Sequence, residues 1–406
     1  MRVLTFGWDY PPLKNGGLGV ACHGLCEELI NAGCEVIFVL PRNQKTVGRN
    51  KFIFADRGVG QRIYTVDSPL LPYKHSDSFL EFFDDTTKRL RLSRRVIDEV
   101  HRYAEVAREI ALRENFDVIH AHDWTSYLAG VAAKLATQKP LILHVHATSF
   151  DQAGGQNVDP DIYDIERTSF HKADSVIAVS NYTKHIVTEK YGVPDEKVEV
   201  VYNGIWQQKE RELPPALEDL KRQGKKIVFY NGRITIQKGV DKFVEAARKV
   251  VDVDEDVIFI ITGWGDMEQQ IMHQVGALGL SKNVIFTGAL WDDERDRLYQ
   301  AADLFVMPSV SEPFGLVPLE ALQHGTPVLI SKQSGVSEVL KNALKVDFWD
   351  IDEMANKILS ALRYPVMRRQ LANEGRFELG NLTWQRAAQK VVDVYKSLLD
   401  WLRRKG

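Results

Sequence analysis

Short, largely apolar runs separated by segments of helical period recur along almost the whole chain, and that alternation limits the fold more than any other feature. The runs are apolar on successive residues, not on alternate ones. Such strands are covered on both faces, the condition of a parallel sheet with a helix crossing over between strands. The pattern predicts strands at 3–6, 35–40, 117–120, 141–145, 175–179 and 198–201 in a first sheet. A second sheet is expected from 227–230, 257–261, 284–286, 304–307 and 327–330. Helices are expected between them, at 20–32, 94–114, 125–136, 162–171, 181–191, 240–251, 267–278 and 292–301. Sheets built this way bind ligands beyond the carboxyl ends of their strands, so the chemistry is sought in the loops there.

A chain of 406 residues is too long for one core of ordinary size, and two domains follow. The charged stretch 207–225, containing Pro214-Pro215, reads as an exposed linker. The expected division is 1–205, 206–382 and a final segment at 383–406. Residues 351–402 have helical spacing, with Ala387, Val391, Val394, Leu398 and Leu402 on one buried face. The stretch 43–92 is less regular. Short strands are expected at 51–55 and 61–66, and Phe79, Leu80, Phe82 and Phe83 read either as core or as an acceptor-side flap. The basic run from Lys88 to Arg95 reads as the solvated start of a helix.

The charge balance, 52 basic against 55 acidic residues, gives no footprint for nucleic acid. The three cysteines, Cys22, Cys26 and Cys34, fall in one short segment, where the first two share a helical face as core thiols do. A reducing compartment is therefore expected. Residues 1–7 run straight into a strand, and no window has membrane length, so the expected location is the cytoplasm, without a signal peptide or transmembrane segment.

Four strand-end segments carry candidate chemistry. Ser311-Glu312-Pro313-Phe314-Gly315-Leu316 leads from the strand at 304–307 into a helix that places Glu320 two turns in. Free backbone N–H groups at such a helix start suit an anion, and carboxylates accept hydrogen bonds from sugar hydroxyls. Gly232-Arg233-Ile234-Thr235-Ile236-Gln237-Lys238-Gly239 delivers a guanidinium and an ammonium to the same sheet edge, a pattern that reads as a diphosphate clamp. Lys14-Asn15-Gly16-Gly17-Leu18-Gly19 fits neither the dinucleotide fingerprint nor a P-loop; it reads as a tight turn or as a phosphate or sugar contact. Gly263-Trp264-Gly265-Asp266 is a further close-approach loop. His120-Ala121-His122 and His144-Val145-His146 end two strands. Neither segment brings a third ligand at metal spacing, so no metal is expected, and His146 is the better placed of the four to donate to a sugar hydroxyl.

Taken jointly, Glu312 and Glu320, the segment from Arg233 to Lys238, Asn203-Gly204, and Lys14 before Gly16-Gly17 resemble the retaining glycosyltransferases of family 4. The resemblance covers nearly the whole chain. It implies a GT-B fold, α/β, in which two Rossmann-like, doubly wound parallel-sheet domains face a central cleft and the C-terminal helix crosses back. It implies a nucleoside-diphosphate sugar (UDP-, ADP- or GDP-hexose) as co-substrate, a hydroxyl-bearing acceptor and no obligatory cofactor or metal. Arg233 and Lys238 would bind the diphosphate with the backbone of Gly17, Gly315 and Leu316, the loop around Lys14, Gly16 and Phe314 completing the donor site. Glu320 would accept from the ribose, Glu312 would hold the sugar near its 3-hydroxyl, and His146 would contact it from the other domain. The loop at Lys14 and the segment His120-Ala121-His122-Asp123-Trp124 are also similar to starch and bacterial glycogen synthases, which implies an α-1,4-glucan product as an alternative. The chain departs from those enzymes at Val20, where they usually have Asp, and at Ser334-Gly335-Val336, where they have Gly-Gly-Leu. A nucleotide-sugar 2-epimerase and a silent sugar-nucleotide binder are the competing classes. Peripheral membrane contact and oligomeric state have no signal in the residues.

Overall fold

The computed structural model describes residues 1–12, 16–42, 45–55, 85–155, 157–207 and 212–405, with backbone alone for 85–95 and 405. Lys14, the strand expected at 61–66, Phe79, Leu80, Phe82 and Phe83 lie outside the described residues, as do the side chains of the basic run. The chain forms two compact units. One comprises Met1–Ser149, Asn157–Gly204 and Thr383–Gly406; the other comprises Phe150–Gln156 and Ile205–Leu382.

The first unit holds β1 (Arg2–Phe6), β2 (Glu35–Leu40), β3 (Lys51–Phe54), β4 (Val118–His122), β5 (Leu141–Val145), β6 (Ser175–Ala178) and β7 (Val198–Val200). They form one parallel sheet in the order β3-β2-β1-β4-β5-β6-β7. The second unit holds β8 (Lys226–Asn231), β9 (Val257–Thr262), β10 (Val284–Gly288), β11 (Leu304–Met307), β12 (Val328–Ser331) and β13 (Leu344–Val346), parallel in the order β10-β9-β8-β11-β12-β13. Both are doubly wound Rossmann-like sheets. Each reverses its strand order once, at β1/β4 and at β8/β11, and such a switch point leaves a crevice beyond the strand ends. The central strands are buried almost throughout, with Val228, Phe259, Leu304 and Leu329 at 0% exposure, as expected of runs covered on both faces, whereas the edge strands β3 and β10 are mostly half-buried.

Parts of the fold differ from the sequence reading. The presumed linker contains a helix, Pro215–Arg222, with Leu217 buried. Pro215 stands at its first position, where a missing N–H costs nothing, so the Pro-Pro pair starts an element instead of extending a loop. β4 runs two residues further than expected, to His122, so both histidines of the first pair lie on the strand. The helical tail is three helices, Ile351–Arg363, Pro365–Glu378 and Trp384–Lys405, divided in part by Pro365.

The last of these helices belongs to the first unit. Its buried stripe is wider than the expected one: Ala387 and Val391 are buried as expected, Trp384, Ala388, Val392 and Tyr395 are buried beside them, and Val394, Leu398 and Leu402 are half-buried. Trp384 lies over Gly24 of the helix Gly17–Asn31; a Cβ added there would fall 2.3 Å from the indole Cε2. Gly24 thus allows the two helices to meet.

Candidate active site

In the second unit the loops leaving β8 and β11 adjoin at the switch point and are fastened to each other. Gly239 has φ 64°, and a Cβ there would lie 2.2 Å from the Pro308 carbonyl oxygen, so only glycine lets the two backbones approach. Val310 N donates to Gln237 O at 2.9 Å. The buried Gln237 side chain donates from Nε2 to Ser311 O at 3.1 Å and accepts from Arg233 Nη2 at 3.0 Å. Gly263 does the same service on the other side, where a Cβ would fall 1.9 Å from Gly232 O, and Ile234 N donates to Trp264 O at 3.0 Å. The Gly263-Trp264-Gly265 loop therefore supports the turn that carries Arg233.

Lys238 Nζ lies 2.6 Å from Glu312 Oε2, and Ser309 Oγ donates to the same oxygen at 3.1 Å. Glu312 is anchored through its backbone as well, its N–H donating to Gln333 O and its carbonyl accepting from Gly335 N. Phe314 and Gly315 are buried next to it, and Gly315 adopts φ 102°. The helix that follows is Val317–Gln323, so Glu320 stands in its first turn, not two turns in. Its Oε2 accepts from Tyr299 OH at 2.9 Å, the Tyr299 oxygen accepts from Asn231 Nδ2 at 2.9 Å, and Arg295 Nη1 lies 3.8 Å from Glu320 Oε1. Burial pulls the Arg295 guanidinium down, but Glu320, Tyr299 and Asp296 outweigh it and hold the cation firmly charged. Both carboxylates are thus tied to the carboxyl end of β8, one by Lys238 and the other through Asn231 and Tyr299.

Gln237, Asn231, Tyr299 and Arg295 escape a reading of the sequence. Tyr299 and Arg295 lie on the helix Asp292–Ala301, whose charged composition reads as solvated surface, and nothing in the spacing marks them. Asp151 is a further such residue: its Oδ1 accepts from Ser311 Oγ at 2.5 Å, and both are buried within the second unit.

In the first unit, Gly16 (φ 131°) precedes the helix Gly17–Asn31, which starts three residues before the expected Val20, and both glycines are exposed. β4 and β5 pair with His122 opposite His144, so the two His-x-His segments form one cluster of four stacked imidazoles. His122 Nδ1 meets His146 Nε2 at 3.0 Å, His144 Nδ1 meets His120 Nε2 at 3.3 Å, and His120 Nδ1 meets Tyr395 OH at 2.5 Å. Burial pushes His120 and His146 down to about 3, and burial with the neighbouring rings pushes His122 and His144 lower than their ordinary value, so all four are neutral. The loop after β5 is held by Asp123, whose Oδ1 accepts from His146 N at 2.7 Å and Ala147 N at 3.2 Å. It is held again by the buried Glu166, which accepts from Ser149 N at 3.0 Å, Ser149 Oγ and Tyr191 OH.

Two family profiles match the chain: one described as Glycosyltransferase Family 4 over residues 15–206, and one described as Glycosyl transferases group 1 over residues 217–377. The chain belongs to glycosyltransferase family 4. This transferase is 28% identical to an uncharacterized glycosyltransferase of Methanocaldococcus jannaschii, covering 100% of both chains. It is 27% identical to a glycogen synthase of Mycobacterium tuberculosis, over 97% of this chain and 94% of that one. Among solved structures it is similar to a sucrose-phosphate synthase from Thermosynechococcus elongatus, with a TM-score of 0.76, 20% identity and coverage of 98% and 99%. An Anabaena protein solved with UDP and glucose follows, with a TM-score of 0.71, 18% identity and coverage of 98% and 100%. These neighbours share the GT-B fold. No helix among the described residues is long and apolar enough to cross a membrane.

Proposed function

We propose that this glycosyltransferase moves a hexosyl group from a nucleoside-diphosphate sugar to a hydroxyl acceptor with retention at the anomeric carbon. The observation that carries the reading is the pair of cations, Arg233 and Lys238, on the β8 loop at the switch point, fastened to the loop that bears Glu312. The donor diphosphate takes these cations with the backbone of Gly315 and Leu316, while Glu320, steadied by Tyr299, accepts from the ribose. Glu312 then exchanges Lys238 for a hydroxyl of the sugar. From the first unit, the neutral His146 donates to a sugar hydroxyl, and Lys14, Gly16 and Gly17 attend the phosphates. As the anomeric C–O bond to the diphosphate breaks, positive charge grows on the sugar and negative charge on the leaving oxygen. The acceptor oxygen bonds to the same face, and its proton passes to the departing phosphate oxygen. A clamp already in position stabilises that charge more than it stabilises the ground state. The cations serve this role without an obligatory metal.

UDP-hexoses are the first donors to test, since the Anabaena neighbour was solved with UDP and glucose; ADP- and GDP-hexoses follow. An α-1,4-glucan product is supported by the glycogen synthase relative. The three buried free cysteines support a cytoplasmic location. Calorimetry of UDP, ADP and GDP against the native chain and Arg233→Ala tests the clamp. One diphosphate should bind, the variant should lose it, and transfer should fall on the order of a hundredfold or more. Equal binding by the variant removes Arg233 from the site. Net inversion at the anomeric carbon overturns the retaining assignment.

A further inference from the structure

The histidine cluster of the first unit holds more ligand-capable nitrogen than its hydrogen bonds use. His122 Nε2, His144 Nε2 and His146 Nδ1 are buried with no hydrogen-bond partner. Buried polar atoms of native proteins are almost always satisfied, and a cluster with three exceptions calls for something that binds there. Taken singly, each His-x-His segment lacks a third ligand. The pairing of His122 opposite His144 brings the segments together, and the helix Gly17–Asn31 adds a thiol.

We propose that Cys22, His122 and His146 form a site for a borderline-soft divalent cation of the zinc class. One donor atom from each, the Cys22 sulfur and a ring nitrogen of each histidine, lies within 4.8 Å of the others. Tetrahedral zinc needs ligand separations of about 3.3–3.6 Å, which fall within that limit. The imidazoles are already in the neutral form that a metal requires, and imidazole with thiolate is a donor set that selects zinc or cobalt over calcium or magnesium. Each neutral imidazole offers the metal the nitrogen that carries no proton and keeps its one N–H on the other, so the histidines release no proton. Cys22 loses its proton to solvent. Burial, with Cys26, Asp123 and Asp9, raises that thiol and keeps it protonated in the metal-free chain, and a cation reverses the preference. His120 and His144 hold the ligands from behind by stacking, and Tyr395 holds His120. His146 is the half-buried member and supplies the way in. The fourth position is left to water, and the site is not required for transfer. An occupied site would withdraw His146 from the sugar; that consequence rests on the proposed function, whereas binding does not.

The test is titration of the metal-free full chain with Co²⁺ and Zn²⁺. One equivalent should bind, with a thiolate-to-cobalt charge-transfer band in the near ultraviolet and about one proton released per metal. Cys22→Ser should abolish the band and weaken Zn²⁺ uptake at least tenfold. Cys26→Ser, one helical turn away, should change neither. His146→Gln, at the more open position, should weaken uptake without depending on how the Cys22 variant folds. Absence of stoichiometric uptake, a band that persists in Cys22→Ser, or uptake indifferent to His146→Gln would each overturn the site.

Discussion

The two units manage buried polar chemistry in opposite ways. In the second, charges are kept and paired: Lys238 with Glu312, and Arg295 beside a Glu320 that also accepts from Tyr299. In the first, charge is removed. Four histidines are neutral, and burial pushes Glu166 up to about 8, against the opposing pull of its hydrogen bonds from Ser149 and Tyr191. Paired charges can be handed to a charged ligand at little further desolvation cost, which suits a diphosphate. Neutral donors packed together suit recognition of hydroxyls, and they place different demands on stability.

The sharpest way to break that contrast is at Lys238. Lys238→Met leaves Glu312, whose side chain is 10% exposed, with only the Ser309 hydroxyl. Breaking a buried pair by one partner costs about 3–5 kcal/mol, and loss of a positioned cation should lower transfer on the order of a thousandfold. Urea unfolding and kcat/KM read the two effects separately. Adding Glu312→Gln should recover most of the stability and none of the rate. An unchanged unfolding midpoint in Lys238→Met would mean that the pair is not a structural one, and the contrast would fail at its strongest point.

How much of this was legible in the sequence follows the same division. The sheets were legible because strands buried on both faces are written as continuous apolar runs. β5 and β11 and the helices Asn181–Tyr191 and Val240–Val251 have the expected bounds. β13 was not legible, since three residues, two of them half-buried, carry no period. Arg233, Lys238 and Glu312 were legible as motifs because they sit in loops with their own glycines. The histidine cluster was not, because it depends on strand register, which places His122 against His144 from a distance of more than twenty positions and is a tertiary fact. Glu166 and Tyr299 were missed for a related reason. A polar residue on a helix reads as solvated face until its partners are known.

Glu166 sharpens the comparison from the neutral side. Its carboxyl titrates at about 8 in the folded chain against an ordinary 4.5. Between those values the native state holds a proton that the unfolded chain lacks. Stability should therefore fall as pH rises from about 4.5 to 8, by at most about 1.4 kcal/mol per pH unit, with the full penalty above that window. Glu166→Gln keeps the hydrogen-bonding shape without the titration. Relative to the native chain, the variant should gain a few kcal/mol between pH 5 and pH 9 in urea unfolding. Parallel profiles would show that Glu166 is ionised in the fold, and the first unit would then hold charge as the second does.

The smallest expected effect tests how the paired side holds a carboxylate that lies outside an ion pair of close contact. Arg295 is 3.8 Å from Glu320, too far to fix its orientation, whereas Tyr299 donates to it at 2.9 Å and is itself held by Asn231. Tyr299→Phe removes the donor, keeps the ring that packs on Phe229 and Phe305, and leaves the Asn231 amide without that acceptor. One hydrogen bond to a charged group is worth about 1.5 kcal/mol or somewhat more, part of which Arg295 and, with Glu320 in its proposed role, the ribose hydroxyls recover in the complex. Nucleoside diphosphate affinity should fall about five- to tenfold, with KM for the donor rising in proportion and kcat unchanged, since ribose binding is the same before and after bond breaking. A fall in kcat with KM unchanged would place Glu320 at the reacting end of the donor. An unchanged affinity would give the orienting role to Arg295, and the contrast would then rest on ion pairs alone.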